Sequence, residues 1–281
     1  MKFFLFLSLI TLVACVETTS TTTITDPEVP IDPPIKEVIM SDFQVLLDSA
    51  NVDGSILIFT GDFFFSNDFE WSRKGHLPAS TFKIPNSIIA LETGVMENDS
   101  TISYWDGEPR FFSSWEQDLY FRDAFHYSCV PCYQEIARNI GVGRMKQYTD
   151  DFNFGDLVFD STSIDQFWLE GDSKITQFEQ IDFLQRFRNK ELPISERTHR
   201  IMSRMMIIEQ NEEYVLRGKT GWSVQNDIDN CWFVGYVEAD EDTYYFATNL
   251  QPKNDAEMSD IISTRKNVTR KALGLLGIPM H

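Results

Sequence analysis

Basic residues are scarce in this chain of 281 residues, where 24 lysines and arginines stand against 43 aspartates and glutamates. The formal net charge of −19 repels phosphate backbones and anionic lipid headgroups. The composition therefore argues against nucleic acid and an anionic membrane surface as electrostatic partners. Acidity of this size is otherwise a property of solubility and does not point to a particular site.

Metal-binding residues are also few, with four histidines and four cysteines in the chain. His126, Cys129 and Cys132 form the pattern H-x-x-C-x-x-C, which is compatible with zinc or redox chemistry. No second C-x-x-C or histidine pair supplies the remaining zinc ligands, and Pro131 interrupts the run. We expect no metal site and interpret the cysteines as small packing residues. The sequence leaves open whether Cys129, Cys132 and Cys231 form a disulfide.

The apolar run at the N-terminus, from Phe3 to Val13, is too short to span a bilayer as a stable helix. Its position after Lys2 and before Ala14 is typical of a secretory signal. The tetrapeptide LVAC, ending at Cys15, resembles a bacterial lipobox, in which the signal is cut before a cysteine that carries lipid. We predict a signal peptide over residues 1–14, lipidation at Cys15 and a protein anchored on the periplasmic side of a membrane. An ordinary signal with a chance cysteine is the alternative.

The segment after Cys15 is rich in Thr, Ser and Pro and lacks apolar periodicity, as a flexible spacer does. We predict a tether over residues 15–38 and a folded domain over residues 39–281. With 42% hydrophobic residues, the chain can bury a large core.

Strand patterns lie toward both ends of the folded part, and helical patterns lie between them. The predicted strands are 55–59, 63–66, 213–218, 231–238 and 243–249, and the predicted helices are 80–96, 131–151, 176–189, 195–208 and 256–276. This order predicts an α+β fold, in which an antiparallel sheet is flanked by N- and C-terminal helices and a helical subdomain lies beside it.

The stretch PASTFKIPNS, residues 78–87, places Ser80 and Lys83 three residues apart at a predicted helix start. Side chains at i and i+3 share a helical face, so the hydroxyl and the amine can meet. Burial of an ammonium without a partner is costly, which favours a lysine that loses its proton. The pair predicts a nucleophile with its base. A capping serine near a surface lysine is the alternative.

Two further motifs support that interpretation. Ser128 precedes Pro131, a favourable first helical residue, so a second hydroxyl lies near a helix N-terminus. The triplet Lys219-Thr220-Gly221 follows the predicted strand EYVLRG and suits a strand edge that holds an acyl substrate with its anionic group. A capping serine and a strand-end turn are the alternatives. In the order S-x-x-K, S-x-V, K-T-G, the three motifs indicate a serine acyl-transfer enzyme.

With these motifs, the sequence resembles the class D β-lactamases, the oxacillinase group of serine enzymes. The resemblance covers residues 40–278 and rests on PASTFKIPNSIIALETG (78–94), YSCVPCYQEIAR (127–138), FWLEG (167–171), SERTHRIM (195–202), KTGWS (219–223) and WFVGYVE (232–238). It implies the serine β-lactamase or penicillin-binding transpeptidase fold, a small-molecule β-lactam substrate and two-step hydrolysis through an acyl-enzyme. No metal is implied, and the oligomeric state and substrate spectrum are not determined.

The resemblance also implies a role for each matching residue. Ser80 would be the acylated nucleophile, Lys83 the base in its CO2-derived, N-carboxylated form, and Ser128 a proton relay. The remaining implied residues are Trp168 as a donor to the carbamate, Val130 lying over it, Lys219, Thr220 and Gly221 along an edge strand, the N–H groups of Ser80 and Trp222 as the oxyanion hole, and Arg265 on the substrate carboxylate.

One block departs from the family pattern: Phe154-Gly155-Asp156 stands where Tyr-Gly-Asn is usual. We expect the fold to survive and the change to affect substrate range and rate. Three alternative functions fit parts of the sequence: a penicillin-sensing receptor domain, a peptidoglycan transpeptidase, and a lipoprotein that binds cell-wall material without catalysis. The block FWLEG favours the lactamase over the transpeptidase, and a silent binder would not need Ser80, Lys83 and Ser128 together.

Overall fold

The computed structural model describes Met1, residues 36–253, residues 258–278 and Met280, with the backbone alone for 258–261. The predicted signal peptide, Cys15 and most of the predicted tether lie outside these residues. Within the described residues, no helix is both long and apolar enough to cross a bilayer.

A seven-stranded sheet forms the centre of the fold, in the order β1-β3-β2-β9-β8-β7-β6. All neighbouring strands are antiparallel except β1 and β3, which are parallel. The strands are β1 (Lys36–Ile39), β2 (Val52–Phe59), β3 (Phe63–Ser66), β6 (Ile207–Gln210), β7 (Tyr214–Gln225), β8 (Ile228–Ala239) and β9 (Asp242–Pro252), while β4 (Ile102–Ser103) and β5 (Leu119–Tyr120) form a separate pair.

Helices cover both faces of this sheet, and the helices of a subdomain beside it pack on one another. They are α1 (Ser41–Ser49), α2 (Phe69–Arg73), α3 (Lys83–Glu92), α4 (Phe121–His126), α5 (Val130–Ile140), α6 (Val142–Asp151), α7 (Gln177–Arg188), α8 (Glu196–Met205) and α9 (Met258–Leu275), with 3₁₀ turns at Ala79–Phe82 and Ser113–Trp115. Ile56 and Ile58 of β2 face the core that α1 and α9 cover, whereas Leu57 and Phe59 face the helical subdomain. Successive strand residues point to opposite faces, so one sheet serves two cores. The predicted α+β class is confirmed.

Several predicted boundaries were wrong for local reasons. The first strand begins at Lys36, inside the predicted tether, and pairs with β3. The predicted helix 131–151 is two helices, because the chain turns at Gly141 with φ of +78°. The predicted helix 195–208 ends at Met205, and residues from Ile207 form the unpredicted strand β6. The motif 219–221 lies inside β7 instead of after its strand.

The edge of the sheet beside β7 decides where a ligand has access. Strand β6 is short and pairs with β7 only from Val215 to Arg217, and the Gly218 N–H donates to the carbonyl of Met206 at 2.9 Å. Beyond Gly218, β6 no longer covers β7, although β7 continues to Gln225. The outer side of this second half of β7 is therefore a local sheet edge, as the resemblance implied.

Close packing of β7 on β8 predicts a sensitive glycine in β8. A Cβ atom added at Gly235 would overlap the carbonyl oxygen of Arg217, whereas one added at Gly274 in α9 meets nothing within 4 Å. Gly235→Ala should lower the free energy of unfolding by about 1–3 kcal/mol through overpacking. Gly274→Ala should raise it by about 0.5–1 kcal/mol through helix propensity. Urea denaturation of both variants tests this, and equal effects would contradict the packing argument.

Candidate active site

The 3₁₀ turn at Ala79–Phe82 delivers Ser80 to the start of α3, and Lys83 is the first residue of that helix. Lys83 Nζ lies 3.0 Å from Ser80 Oγ, within hydrogen-bond reach. Ser80 is 6% exposed and Lys83 only 1%. The predicted contact of hydroxyl and amine is present, and both side chains are buried.

The surroundings of Lys83 are apolar. Its Nζ lies 4.9 Å from the centroid of the Tyr133 ring, and the Tyr133 hydroxyl is bound to Ser87 at 2.6 Å. No carboxylate pairs with Lys83 among the described residues. Burial lowers the pKa of Lys83 from 10.5 to about 7. Near neutral pH a substantial fraction of this amine is therefore uncharged, which makes it a competent base or nucleophile.

Trp168 lies in the wall behind this pair. The indole ring is fully buried and stacks on Phe82 with a centroid distance of 5.6 Å. The backbone carbonyl of Trp168 accepts the Ala79 N–H at 2.7 Å, which ties its loop to the 3₁₀ turn. Its indole N–H has no hydrogen-bond partner in the part of the chain that is described. A buried donor without an acceptor is costly and indicates an acceptor that the protein alone does not provide.

A second pair of lysine and hydroxyl faces the first. Lys219 Nζ of β7 lies 2.7 Å from Ser128 Oγ and also donates to the carbonyl of Thr220 at 3.0 Å. Burial lowers the pKa of Lys219 well below its usual value, and the charges of Lys83 and Arg265 add to the effect. Ser128 and Lys219 are thus placed to exchange a proton with each other.

These residues surround one cleft of about 520 Å³. Of the sequence-predicted residues, its lining includes Ser80, Ser128, Val130, Thr220, Gly221, Trp222 and Arg265. Lys83, Trp168 and Lys219 are buried outside that lining. The tertiary structure therefore brings together every residue predicted for the site within the described chain. Their individual roles stay predictions.

Two cations at the end of the cleft come from α9. Arg265 is 6% exposed, donates through Nη1 to the carbonyl of Gly221, and has a pKa that burial lowers to about 10. Its Nε has no partner among the described residues. Lys266 also lines the cleft, and burial and the charge of Arg265 lower its pKa. Clustered cations in a protein of net charge −19 mark an anion site. The sequence analysis missed Lys266, although it adjoins the predicted arginine.

The strand β7 approaches the 3₁₀ turn closely at Gly221. A Cβ atom added there would lie 3.2 Å from the side chains of Ala79 and Thr81. The carbonyl of Leu77, three residues before Ser80, accepts side-chain hydrogen bonds from Asn230 and Trp232, both at 2.8 Å. The backbone of Ser80 and the neighbouring strand thus form one side of the cleft.

The block that differs from the family pattern, residues 154–156, lies at the base of the loop that carries Trp168. Phe154 is buried and packs edge-on against Phe82 and Phe183, with centroid distances of 5.9 and 4.8 Å. Asp156 pairs with Lys174 through two backbone hydrogen bonds of 2.8 and 2.7 Å. The phenylalanine therefore fills the wall behind the Ser80 turn, and the loop is fastened through its backbone.

The cysteine pattern has a different meaning from the one predicted. Cys129 and Cys132 form a disulfide, and Cys231 is a free, buried thiol. The interpretation of the first two as simple packing residues was therefore wrong. Three residues of separation at a helix start bring their Cα atoms to 5.4 Å, a distance that a disulfide requires.

Comparisons with known proteins agree with this geometry. Residues 65–274 match the penicillin binding protein transpeptidase domain family. The chain is similar to β-lactamase OXA-48 of Klebsiella pneumoniae, with 39% identity over 74% of this chain and 77% of the relative. It is also similar to probable β-lactamase YbxI of Bacillus subtilis (strain 168), with 32% identity over 86% of this chain and 88% of the relative.

Two solved structures extend the similarity to the fold. A class D β-lactamase YbXI from Nostoc superposes with a TM-score of 0.80 at 42% identity, covering 84% of this chain and 99% of that one. A class D β-lactamase from Sebaldella termitidis ATCC 33386 gives a TM-score of 0.82 at 35% identity, covering 87% and 98%.

The lowered pKa of Lys83 predicts a pH-dependent cost to stability. Between pH 7 and 10.5 the unfolded chain holds a proton on Lys83 that the folded chain releases, so this group makes folding more favourable as pH rises. Lys83→Met should therefore have a larger free energy of unfolding than wild type, by up to about 5 kcal/mol below pH 7. This difference should shrink as pH rises and vanish near pH 10.5. Urea denaturation at several pH values in CO2-free buffer measures it, with the exposed Lys174→Met as control. A gain independent of pH would contradict the assignment.

Proposed function

The chain belongs to the class D β-lactamases within the penicillin-binding transpeptidase family and hydrolyses β-lactams, and we propose that it does so through an acyl-enzyme on Ser80. The observation that carries the proposal is the 3.0 Å contact between Ser80 Oγ and Lys83 Nζ in a buried, apolar pocket. In that pocket the amine is available as a base near neutral pH.

In the first step, Ser80 Oγ forms a bond to the β-lactam carbonyl carbon as its proton passes to the base carried by Lys83. The negative charge that develops on the carbonyl oxygen is stabilised by the N–H groups of Ser80 and Trp222. The ring C–N bond then breaks, and Ser128 donates a proton to the leaving nitrogen. Lys219, at 2.7 Å from Ser128 Oγ, supports this transfer by returning a proton to the hydroxyl.

The second step hydrolyses the acyl-enzyme with water. We propose that Lys83 is carboxylated by CO2 before either step, because an amine that had accepted the Ser80 proton could not react with CO2. A neutral amine reacts with CO2 and releases one proton, so the pKa of about 7 supports this modification. The partnerless indole N–H of Trp168 supports it as well, because a carboxylate is an acceptor of the required kind. When formed, the carbamate supplies an anionic general base for the attacking water. Val130, at the start of α5, contributes to the apolar lining of the cleft.

We propose that the cations at the end of the cleft hold the substrate carboxylate. Arg265 is the main partner, because a planar guanidinium suits a carboxylate. Thr220 and Gly221 line the cleft beside it, and Lys219 lies buried next to them in β7. Part of the guanidinium is engaged with the carbonyl of Gly221, which fixes its orientation before substrate arrives.

We also propose that the protein is exported and attached to a membrane by lipid on Cys15. The support is the sequence: an apolar signal over residues 1–14, the tetrapeptide LVAC and a spacer rich in Thr and Pro. Two acyl chains on one cysteine would anchor the chain firmly, whereas one chain gives only marginal binding.

Turnover of a chromogenic cephalosporin tests the proposed chemistry. Ser80→Ala should abolish it, and Trp168→Phe should slow deacylation roughly ten- to hundred-fold, which corresponds to about 1.5–3 kcal/mol for a hydrogen bond to a charged group. Bicarbonate added to degassed buffer should raise the wild-type rate, and the exposed Trp105→Phe should respond like wild type. If bicarbonate changes no rate and Lys83→Ala keeps the wild-type rate, the proposed role of Lys83 is wrong.

Fractionation of bacteria that express the full chain tests the anchor. Wild-type protein should sediment with membranes, because the lipid on Cys15 holds it there. Cys15→Ala should alter the processing of the signal and release the protein, and mass spectrometry of the mature N-terminus should find acyl chains only on wild type. Equal fractionation of both proteins would reject lipidation.

A further inference from the structure

The disulfide between Cys129 and Cys132 spans the turn that carries Ser128 and Val130, two residues that line the cleft. Cys129 caps the N-terminus of α5, and its sulfur accepts the Cys132 N–H at 3.3 Å. The bond therefore joins Cys129, which lies between the two cleft residues, to Cys132 in the first turn of α5. None of the chemical steps described above uses it.

The backbone at this turn needs external support. Ser128 has a φ of +57°, a left-handed conformation that residues other than glycine rarely adopt. Such a conformation persists only when surrounding interactions determine it. Two backbone hydrogen bonds contribute, from Ser128 to Phe125 at 3.2 Å and from Cys129 to Ala124 at 2.9 Å. The disulfide is the covalent contribution from the other side of the turn.

We propose that the disulfide is a positioning element for Ser128 and Val130, and that a small thiol opens it and thereby lowers turnover. The proposal rests on the proposed function, because it assigns consequences to the hydroxyl of Ser128 and its 2.7 Å contact with Lys219. Cys129 and Cys132 are positioning residues in this scheme and do not touch substrate.

A small cavity gives access to the bond from outside the active site. This cavity, of about 190 Å³, is lined by both cysteines together with Tyr104, Trp105 and Arg138. Cys129 is 1% exposed, whereas Cys132 is partly exposed. An incoming thiolate therefore meets the sulfur of Cys132 first. The cavity shares Trp115 with the catalytic cleft, so the two adjoin at that side chain.

The exchange balances as an ordinary two-electron reduction. A thiolate of dithiothreitol attacks Cys132 Sγ and forms a mixed disulfide, while the bond between the two cysteine sulfurs breaks and Cys129 leaves as a thiolate. The positive end of the α5 dipole and the Cys132 N–H stabilise the Cys129 thiolate. The second thiol of the reagent then displaces Cys132 as a thiolate, which leaves cyclic oxidised dithiothreitol and two reduced cysteines.

The test compares full-length, processed protein before and after dithiothreitol, with bicarbonate in excess. Reduction should add two titratable thiols. It should also lower kcat and the rate of acylation about ten-fold or more, with little change in KM. The reason is that a displacement of about 1 Å in a reacting group can lower the rate about a hundred-fold. Removal of the reagent and reoxidation should restore the rate. Cys231→Ala, which lacks only the buried free thiol, should respond as wild type does.

Three variants separate the covalent bond from the helix cap. Cys132→Ser should have the low kcat of the reduced enzyme and no response to dithiothreitol. Cys129→Ser should match it, since serine retains the capping acceptor, whereas Cys129→Ala loses cap and bond and should be slower still. Thermal unfolding by circular dichroism verifies that each variant is folded.

The outcomes distinguish this proposal from the proposed function. If the oxidised wild-type protein does not hydrolyse the cephalosporin, the proposed function fails and this inference with it. If it does, but the reduced protein keeps the same kcat after two thiols have been titrated, the disulfide has no positioning role and the inference alone is wrong.

Discussion

The contact between the buried amine of Lys83 and the hydroxyl of Ser80 is the interaction on which the rest of the site depends. An ammonium at 1% exposure with no paired carboxylate among the described residues is unfavourable, and the fold accommodates it by letting the proton leave. The apolar wall that includes Phe82 and Trp168 therefore has a chemical purpose as well as a packing one. It lowers the stability of the folded chain and, by the same desolvation, produces a base at neutral pH.

The same constraint explains the arrangement of the other cations. Burial lowers the pKa of Lys219, and the charges of the neighbouring Lys83 and Arg265 lower it further. Each would be unfavourable as a buried cation, and together they repel one another. A cluster of buried cations favours the approach of an anion, in a protein that is strongly acidic elsewhere, and this is the physical basis of the proposed site for the substrate carboxylate.

The fold delivers these groups from four separate elements. The 3₁₀ turn before α3 carries Ser80, the turn before α5 carries Ser128, β7 carries Lys219, and α9 carries Arg265. The short strand β6 leaves the second half of β7 open, and the close approach at Gly221 sets the distance between strand and turn. Because sites on rigid elements are held more accurately than sites on loops, this construction suits a reaction that depends on hydrogen-bond distances.

The sequence by itself determined the fold class and the identity of the chemical groups, because these follow from local patterns. Short runs rich in apolar, β-branched and aromatic residues predicted the central strands, and the i, i+3 spacing of Ser80 and Lys83 predicted their contact. It did not determine the break at Gly141, the strand β6 or the pairing of Cys129 with Cys132, since each depends on backbone angles or on partners distant in the chain. Only the tertiary structure decided that, among the residues it describes, Lys83 has no carboxylate partner and the indole N–H of Trp168 no acceptor. It also decided that Lys266 joins Arg265 at the cleft. Burial and proximity are properties of the packed chain, and desolvation, which sets the pKa values on which the chemistry depends, exists only after packing.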